Sequence, residues 1–194
     1  LKDISVKLRN YAWKITVIVY SHKIIGIEAG DTSDRLFGYA VDIGTTKLAG
    51  YLVDLNTGKV IAATSLMNPQ IPYGEDVIAR LNYPESSTLH TVIIQGLNEM
   101  LRDLLEKTDV HQEEVLELTV VGNTVMHHLF FNLDSKNLGF APYPPILTNA
   151  IELNAAKIGI DINPLGMVYF LPWRGVLQTF SHRSSYRFHP PTSW

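Results

Sequence analysis

Short runs of β-branched and aromatic residues, separated by polar turns, dominate the first third of the chain. The segment from Trp13 to Glu28 contains a polar break at Ser21-His22-Lys23 and predicts a hairpin. Three further apolar segments follow, LFGYAVDIG, LAGYLVDL and VIAATSLM, with breaks at Gly44-Thr45-Thr46 and Asn56-Thr57-Gly58. Because Asn56-Thr57-Gly58 has the chemistry of a tight hairpin connection, we expect these three strands to be antiparallel neighbours. Residues 1–36 are expected to form a separate lead-in module.

Helical spacing replaces the strand pattern after the third of these strands. The segment GEDVIARLNY predicts a short helix with Glu75 and Asp76 in its first turn, where the helix dipole favours carboxylates. Apolar residues then recur at steps of three and four between Thr88 and Lys107, which predicts a longer helix with Thr88 as its N-cap. We expect the apolar face of this helix to pack on a sheet.

Two more strands are predicted beyond the long helix. An apolar run from Leu118 to Val121 leads through Gly122-Asn123-Thr124 into a second helix, and the segment MVYFLP begins at Met167. The prolines of APYPP indicate an irregular loop between these strands. The pattern as a whole predicts an α/β lobe with a mixed five-stranded sheet and flanking helices.

Composition and charge restrict the classes of function. The 194 residues are 46% hydrophobic and 18% charged, which is enough apolar content for a real core. A formal net charge of -3 argues against nucleic acid or an anionic membrane as a partner. The chain contains no cysteine, which excludes disulfides, thiolate metal sites and iron–sulfur ligation within it. No apolar run is long enough for a membrane helix, and a cytoplasmic protein is expected.

Asp42 and the turn after it are the leading candidates for chemistry. Asp42 lies at the end of a predicted strand and is followed by Gly44, Thr45 and Thr46. A glycine lets the backbone approach an oxygen-rich ligand, while successive amides and two hydroxyls supply donors that suit phosphate. A carboxylate at this position can hold Mg²⁺ or orient an attacking water. The competing interpretation is a hairpin turn in which these residues are only structural.

The motif VDIGTT resembles the first phosphate motif of the acetate kinase, sugar kinase, Hsp70 and actin superfamily. A closer resemblance, to the reductive activators of corrinoid proteins, is carried by GDTSDRLFGYAVDIGTTKLAGYLVDL, NPQIPYGEDVIARL, VVGNTVMHHLF and APYPP. These activators are ATP-dependent iron–sulfur proteins that return cob(II)alamin to cob(I)alamin. The resemblance implies a ribonuclease-H-like lobe at residues 37–172 that corresponds to the family's middle domain, with residues 1–36 as the end of a linker region.

The resemblance also implies roles for particular residues. By this resemblance, the phosphate-binding residues lie at the ends of two strands and are Gly44, Thr45, Thr46, Asn123 and Thr124. Asp42 takes the metal and catalytic-water role, and the carboxylate of Glu75 could reach the metal shell. Asn123 and Thr124 also fit a helix N-cap, and Glu75 also fits a carboxylate that satisfies a helix dipole. Gln70 is a secondary candidate.

An intact protein of this family would use cofactors and partners that this chain does not carry alone. It would bind ATP and Mg²⁺, hold a [2Fe-2S] cluster in a domain outside this chain, and act on a corrinoid protein. That partner would be a corrinoid iron–sulfur protein or a methyltransferase corrinoid subunit, and a homodimer is also compatible. The chain holds one of the two lobes that close on nucleotide, so we expect it to be inactive alone. A small-molecule kinase of the same superfamily and a non-catalytic dimerisation or docking module remain as alternatives.

Three side chains near these motifs have simpler interpretations. Lys47 stands where the family is expected to have a small or hydroxyl residue, and we interpret it as a solvated lysine. His127 and His128 are adjacent on a predicted helix and therefore point about 100° apart, whereas paired metal ligands prefer a four-residue step. We expect one histidine to pack against the sheet and the other to be exposed or to line a cleft.

The two ends of the chain are unusual. The start LKDISV has no initiating methionine, which is typical of a fragment. After Pro172 the sequence WRGVLQTFSHRSSYRFHPPTSW has no acidic residue and no clear periodicity, and the family's glycine-rich, aspartate-containing continuation is not there. We expect residues 173–194 to be an aberrant or disordered tail, caused by a shift of reading frame near codon 173 or a damaged gene. A genuinely divergent terminus is the alternative.

Overall fold

A helix and a hairpin precede the main sheet in the computed structural model, which describes residues 4–139, 145–146 and 149–172. Helix α1 spans Ile4–Asn10, and strands β1 (Ile15–Tyr20) and β2 (Lys23–Ala29) pair antiparallel. Ser21 and His22 between them have φ angles of 45° and 65°, as a two-residue hairpin turn requires. The predicted hairpin is confirmed, whereas α1 has no counterpart in the sequence-based prediction.

Six strands form one mixed sheet within the described residues. They are β3 (Phe37–Ile43), β4 (Lys47–Asp54), β5 (Lys59–Met67), β6 (Val115–Gly122), β7 (Ile151–Asn154) and β8 (Met167–Phe170). Their spatial order is β5-β4-β3-β6-β8-β7. Strands β3, β4 and β5 are antiparallel neighbours, as predicted, and β6 runs parallel to both β3 and β8. The central parallel strands therefore end at the same edge of the sheet.

Strand β7 makes the predicted total of five strands wrong. It is four residues long, lies at the edge of the sheet and pairs antiparallel with β8. Four residues contain too few alternating positions to give a period-two signal. Its extended conformation depends on pairing with β8, a tertiary contact that local sequence does not report.

Three α-helices accompany the main sheet in the described part of the chain, namely α2 (Val77–Leu81), α3 (Ser86–Glu106) and α4 (Thr124–Phe130). Helix α3 begins two residues earlier than expected, with Glu85 at its N-cap position, so the prediction of Thr88 as N-cap is wrong. The Thr88 hydroxyl lies within the first turn and donates to Glu85 Oε2 at 3.0 Å. The apolar face of α3 is buried as predicted, through Leu89, Ile93, Leu97, Met100, Leu101 and Leu104.

One face of β4 and β5 packs toward α3, and the opposite face is exposed. Tyr39 of β3 is buried, and its hydroxyl donates to the carbonyl of Leu97 on α3 at 3.0 Å. Tyr51, Ile61 and Met67 lie on the other face, where they are exposed. Asp42 lies on that exposed face. Its partner across the sheet is Ala49, which is two residues from Tyr51 on β4 and therefore points to the same side. The candidate carboxylate is therefore held at the surface by a buried strand.

Some predicted features lie outside the described residues. They include most of the APYPP loop, the whole tail 173–194 and therefore the proposed change of reading frame. Among the helices that the structure does describe, none has the length and apolarity needed to cross a membrane.

Arg35 links the segment before β3 to the segment before β6. Its Nε and Nη2 atoms donate to the two carboxylate oxygens of Glu114, both at 2.7 Å. Nη2 also donates to the carbonyl of Asp109 at 2.8 Å, and the guanidinium lies over the Phe37 ring at 5.3 Å. This forked contact fixes the entry of β3 against the entry of its parallel neighbour.

Replacing Glu114 with glutamine is expected to lower the free energy of unfolding by about 1 kcal/mol at neutral pH. Arg35 holds the pKa of Glu114 below its ordinary value of 4.5, so this stabilisation is fully present above pH 4.5. It is lost as the pH falls through the lower pKa of the folded state. Urea unfolding of both proteins at neutral and at acidic pH measures the effect, and the two stabilities should converge in acid. An equal difference at both pH values would contradict the assignment.

Candidate functional site

The candidate site lies where two parallel strands end side by side. Asp42 of β3 is in register with Val121 of β6, and Ile43 is in register with Gly122. The turn Gly44–Thr46 and the start of α4 therefore meet at one edge of the sheet. The side chain of Asn123 joins them, because its Nδ2 atom donates to Thr45 Oγ1 at 3.2 Å. The structure thus brings together two segments that are 78 residues apart in sequence.

Gly44 allows the turn after β3 to close tightly. Its amide donates to the carbonyl oxygen of Lys47 at 3.1 Å. A Cβ atom at position 44 would lie 2.5 Å from the same oxygen, which is closer than real Cβ contacts come. Because the obstructing atom belongs to the backbone, it cannot swing aside as a flexible side chain would. Glycine at this position is therefore required by the close approach of the two backbone segments.

Two buried side chains donate hydrogen bonds to the carbonyl groups of this turn; the side on which they lie is called its inner side. Asn68 Nδ2 donates to the carbonyl of Gly44 at 2.7 Å, and Arg80 Nη2 donates to the carbonyl of Thr45 at 2.6 Å. In a trans peptide the N–H group points opposite to the C=O group. The amides of Thr45 and Thr46 are therefore directed away from Asn68 and Arg80, and neither donates to another described residue. Two consecutive outward amides form a concavity that suits an anion.

Asp42 supplies a free carboxylate beside these amides. Its side chain is exposed and forms no hydrogen bond or ion pair within the described part of the chain. Thr46 is also exposed, while Thr45 is half-buried and accepts from Asn123. The arrangement presents an acceptor at Asp42 and donors at the adjacent turn, which is the combination needed for a metal-bound or water-attacked phosphate.

Asn123 has two structural roles at the start of α4. Its Oδ1 atom accepts from the amides of Val125 and Met126, both at 3.0 Å, so it is the N-cap of the helix. The other end of its amide group binds Thr45, as described above. Thr124 is the first residue of α4 and is half-buried. The N-cap interpretation therefore holds for Asn123, and the same side chain also contacts the turn.

The segment before α2 contributes less to the site. Asp76 is the N-cap of α2 and accepts from the amide of Ala79 at 2.7 Å. Glu75 is exposed and makes no hydrogen bond or ion pair with the turn among the described residues. Gln70 is fully buried and donates to the carbonyl of Leu89 at 2.9 Å, so its side chain supports the fold and does not face solvent.

Both histidines of α4 are buried, so the prediction that one would be exposed or line a cleft is wrong. The His128 ring binds the carbonyl of Thr124 at 2.8 Å through Nδ1 and accepts from the amide of Ile146 at 3.0 Å through Nε2. The His127 ring stacks on Phe170 with 4.3 Å between ring centroids. Within the described residues no group of three potential metal ligands occurs. Both histidines are packing residues here, because one ring stacks on Phe170 of β8 and the other binds two backbone groups.

Replacing His127 with phenylalanine is expected to raise the stability of the chain slightly. Its Nε2 atom is buried without a hydrogen-bond partner among the described residues, and burial lowers the pKa of His127 to about 4. In the unfolded chain His127 takes up a proton near pH 6.5, whereas in the folded chain it does so only near pH 4. The free energy of unfolding therefore falls as the pH drops from 6.5 towards 4. Phenylalanine keeps the ring stack and removes this dependence on pH. At mildly acidic pH the free energy of unfolding should therefore rise by about 1 kcal/mol or more. Thermal unfolding across this pH range measures it, and parallel slopes for both proteins would contradict it.

A family model described as the RACo middle region matches residues 37–176. That range covers more than half of the chain and includes every candidate residue above. The chain belongs to the RACo middle region family. The predicted resemblance is thereby confirmed.

Two similar proteins agree with this membership. The corrinoid activation enzyme RamQ of Eubacterium limosum is 34% identical over 168 residues, which are 84% of this chain and 28% of that protein. A solved structure titled as a reductive activator for a corrinoid, iron–sulfur protein matches with a TM-score of 0.81 and 35% identity. It covers 88% of this chain and 29% of that chain. This RACo-family chain therefore spans less than a third of the length of each of these two proteins.

Two residues of the site were not found by sequence reasoning. Asn68 and Arg80 are almost fully buried and hold the turn from its inner side. Arg80 leaves a weak signal, because VIARL places a charged residue among apolar neighbours on a short helix. Asn68 precedes Pro69 and looks like an ordinary turn residue. Only the fold shows that both side chains point at the same backbone segment.

Proposed function

We propose that this chain is the first nucleotide-binding lobe of an ATP-dependent reductive activator of corrinoid proteins. Residues 37–172 form a ribonuclease-H-like lobe in this proposal, residues 1–36 end a linker region, and residues 173–194 are an aberrant tail. In the intact protein, ATP hydrolysis is coupled to electron transfer. A [2Fe-2S] cluster held outside this chain would supply the electron that reduces cob(II)alamin to cob(I)alamin.

The observation that carries the proposal is the outward turn beside Asp42. The amides of Thr45 and Thr46 point away from Asn68 and Arg80, which bind the preceding carbonyls, and neither amide donates to another described residue. Phosphate oxygens would accept from these amides and from the hydroxyl of Thr46. Asn123 holds the Thr45 hydroxyl in place from the neighbouring strand end. Thr124 follows at the same strand end and completes the candidate phosphate contacts.

Asp42 fits a magnesium site of the type used with nucleotides. Mg²⁺ typically keeps several waters and takes one or two carboxylates together with phosphate oxygens. Asp42 offers one exposed carboxylate beside the phosphate-binding turn, and Glu75 is the second candidate ligand. Bound Mg²⁺ would neutralise developing charge on the phosphate. Asp42 itself would hold and orient the attacking water through its second oxygen.

The chain does not fit the iron–sulfur cluster. It contains no cysteine among its 194 residues and so offers no thiolate ligand. The cluster and the second nucleotide-binding lobe belong to other parts of the proposed activator. A corrinoid iron–sulfur protein or a methyltransferase corrinoid subunit is the proposed partner, and a homodimer is compatible with this arrangement.

A chimera tests the proposal directly. Residues 37–172 would replace the matching region of the Eubacterium limosum activator. The control is that activator with its own region put back through the same two junctions. We expect the chimera to convert its corrinoid partner from the cob(II)alamin to the cob(I)alamin absorption spectrum when ATP and a reductant are present. A folded chimera that never does so, beside an active control, would overturn the proposal. Phosphoryl transfer to a metabolite would instead favour the kinase alternative.

A further inference from the structure

Arg80 carries a buried positive charge that no described carboxylate neutralises. Its side chain is 1% exposed, although arginine is seldom fully buried without a charged partner. No acidic side chain among the described residues lies within ion-pair distance of it. Its acceptors are instead neutral. They are the carbonyls of Gly74 at 2.8 Å and Thr45 at 2.6 Å, Gln70 Oε1 at 3.3 Å and Met126 Sδ at 3.6 Å.

Burying such a charge has a cost that neutral acceptors offset only in part. Burial accordingly lowers the pKa of Arg80, and the charge of Asp76 on the same helix opposes that effect. An arginine nevertheless stays protonated in proteins. An unpaired guanidinium therefore remains beneath the turn, and a negative charge on the other side of that turn would be attracted to it.

The backbone around Arg80 is shaped to admit its side chain. A Cβ atom at Gly74 would lie 2.9 Å from Arg80 Cγ and 2.7 Å from the Arg80 amide nitrogen. Glycine at position 74 thus leaves room for the arginine to turn back from α2. The side chain then reaches Thr45, which is 35 residues away in sequence. The guanidinium of Arg80 thus connects α2 to the turn.

The contact of Arg80 with the Thr45 carbonyl fixes the direction of the Thr46 amide. Arg80 binds the carbonyl of the peptide that joins Thr45 to Thr46, and the N–H of that same peptide points the opposite way. A guanidinium on the carbonyl also polarises the peptide and makes its N–H a better donor. The charge and the geometry of Arg80 therefore act on the same outward amide.

We propose that Arg80 is a positioning residue for phosphate, which fixes the Thr45–Thr46 peptide with its N–H outward and supplies the balancing positive charge. The inference rests on the proposed function, since it takes a nucleotide phosphate as the anion at this turn. Arg80 does not touch that phosphate. It acts through the Thr45 carbonyl.

The test compares three variants by ¹H–¹⁵N NMR of the 194-residue chain during titration with MgATP. Arg80→Lys keeps the charge but loses the fork, Arg80→Met loses both, and Arg102→Met removes an exposed arginine on α3 as the matched control. Two quantities are recorded: the amide shifts of Thr45 and Thr46 without ligand, and the dissociation constant from their movement with MgATP. Thermal unfolding of each variant gives a separate measure of stability.

We expect both Arg80 variants to shift the Thr45 and Thr46 amides before ligand is added and to weaken MgATP binding at least about tenfold. Arg80→Lys should be weakened less than Arg80→Met, and Arg102→Met should match the wild type. If Arg80→Met does not fold, weaker binding by folded Arg80→Lys supports the inference, and unchanged binding overturns it. Shifts and affinity that stay at wild-type values in the Arg80 variants would also overturn it.

The same titration separates the inference from the proposed function. A wild-type chain whose Thr45 and Thr46 amides do not respond to MgATP would count against nucleotide binding by this lobe, and with it against a role for Arg80 in that binding. A wild-type chain that responds, beside Arg80 variants that respond equally, would leave the proposed function standing and refute only the role of Arg80.

Discussion

Replacing Asp42 with asparagine in the chimeric activator is expected to lower the rate of ATP-dependent corrinoid reduction by about 100-fold or more. Asparagine keeps the size and shape of the side chain but removes the negative charge that holds Mg²⁺ and orients water. The side chain of Asp42 makes no hydrogen bond or ion pair with another described residue, so the fold should not depend on it. The rate of appearance of the cob(I)alamin spectrum, together with the rate of phosphate release, measures the loss.

Asp161 provides a matched control for this substitution, because it lies within the residues that the chimera carries. It is an exposed aspartate between β7 and β8, and its side chain has no described hydrogen bond or ion pair. Asp161→Asn should leave both rates at the wild-type value. If Asp42→Asn behaves in the same way, Asp42 has no catalytic or metal role, and the docking-module alternative becomes the better interpretation of this lobe.

Replacing Gly44 with alanine is expected to destabilise the chain by about 1–3 kcal/mol and to weaken MgATP binding. The added Cβ would lie 2.5 Å from the carbonyl oxygen of Lys47, so the backbone of the turn has to move. That movement changes the direction of the amides at Thr45 and Thr46. Urea unfolding gives the change in stability, and calorimetric titration of the folded variant gives the change in affinity.

Gly139 offers the corresponding control for a glycine-to-alanine change. It is exposed, and the nearest atom to an added Cβ is Leu81 Cδ1 at 3.9 Å, an ordinary contact distance. Gly139→Ala should change stability by no more than about 0.5 kcal/mol and leave MgATP binding unaltered. Equal effects of the two substitutions would mean that the tight turn is not what makes Gly44 necessary.

The elements with strong local patterns were predictable from the sequence. The hairpin β1–β2, the three antiparallel strands β3 to β5 and the apolar face of α3 each repeat a simple period over several residues. Asp42 and the turn after it could also be named as candidates from local sequence, because a carboxylate followed by glycine and two hydroxyls is a contiguous motif. The N-cap of α3 was placed at Thr88 and not at Glu85, since threonine is a preferred N-cap residue and glutamate is not.

The features that sequence reasoning missed depend on contacts between distant segments. Strand β7 is too short for a periodic signal and is held by β8. The burial of His128 follows from its two backbone partners, one of which is 18 residues away. Arg80 reaches the turn from a helix 35 residues further along the chain, and nothing in its local pattern specifies the target. Such contacts require the folded topology and cannot be derived from spacing.

The most direct measurement of the central claim is a crystal structure of the chimera with Mg²⁺ and a non-hydrolysable ATP analogue. The claim predicts phosphate oxygens within hydrogen-bond distance of the Thr45 and Thr46 amides, with Mg²⁺ and its waters beside Asp42. A nucleotide bound with its phosphates elsewhere, while the Gly44–Thr46 turn contacts only solvent, would contradict the claim that this lobe binds the phosphates of ATP.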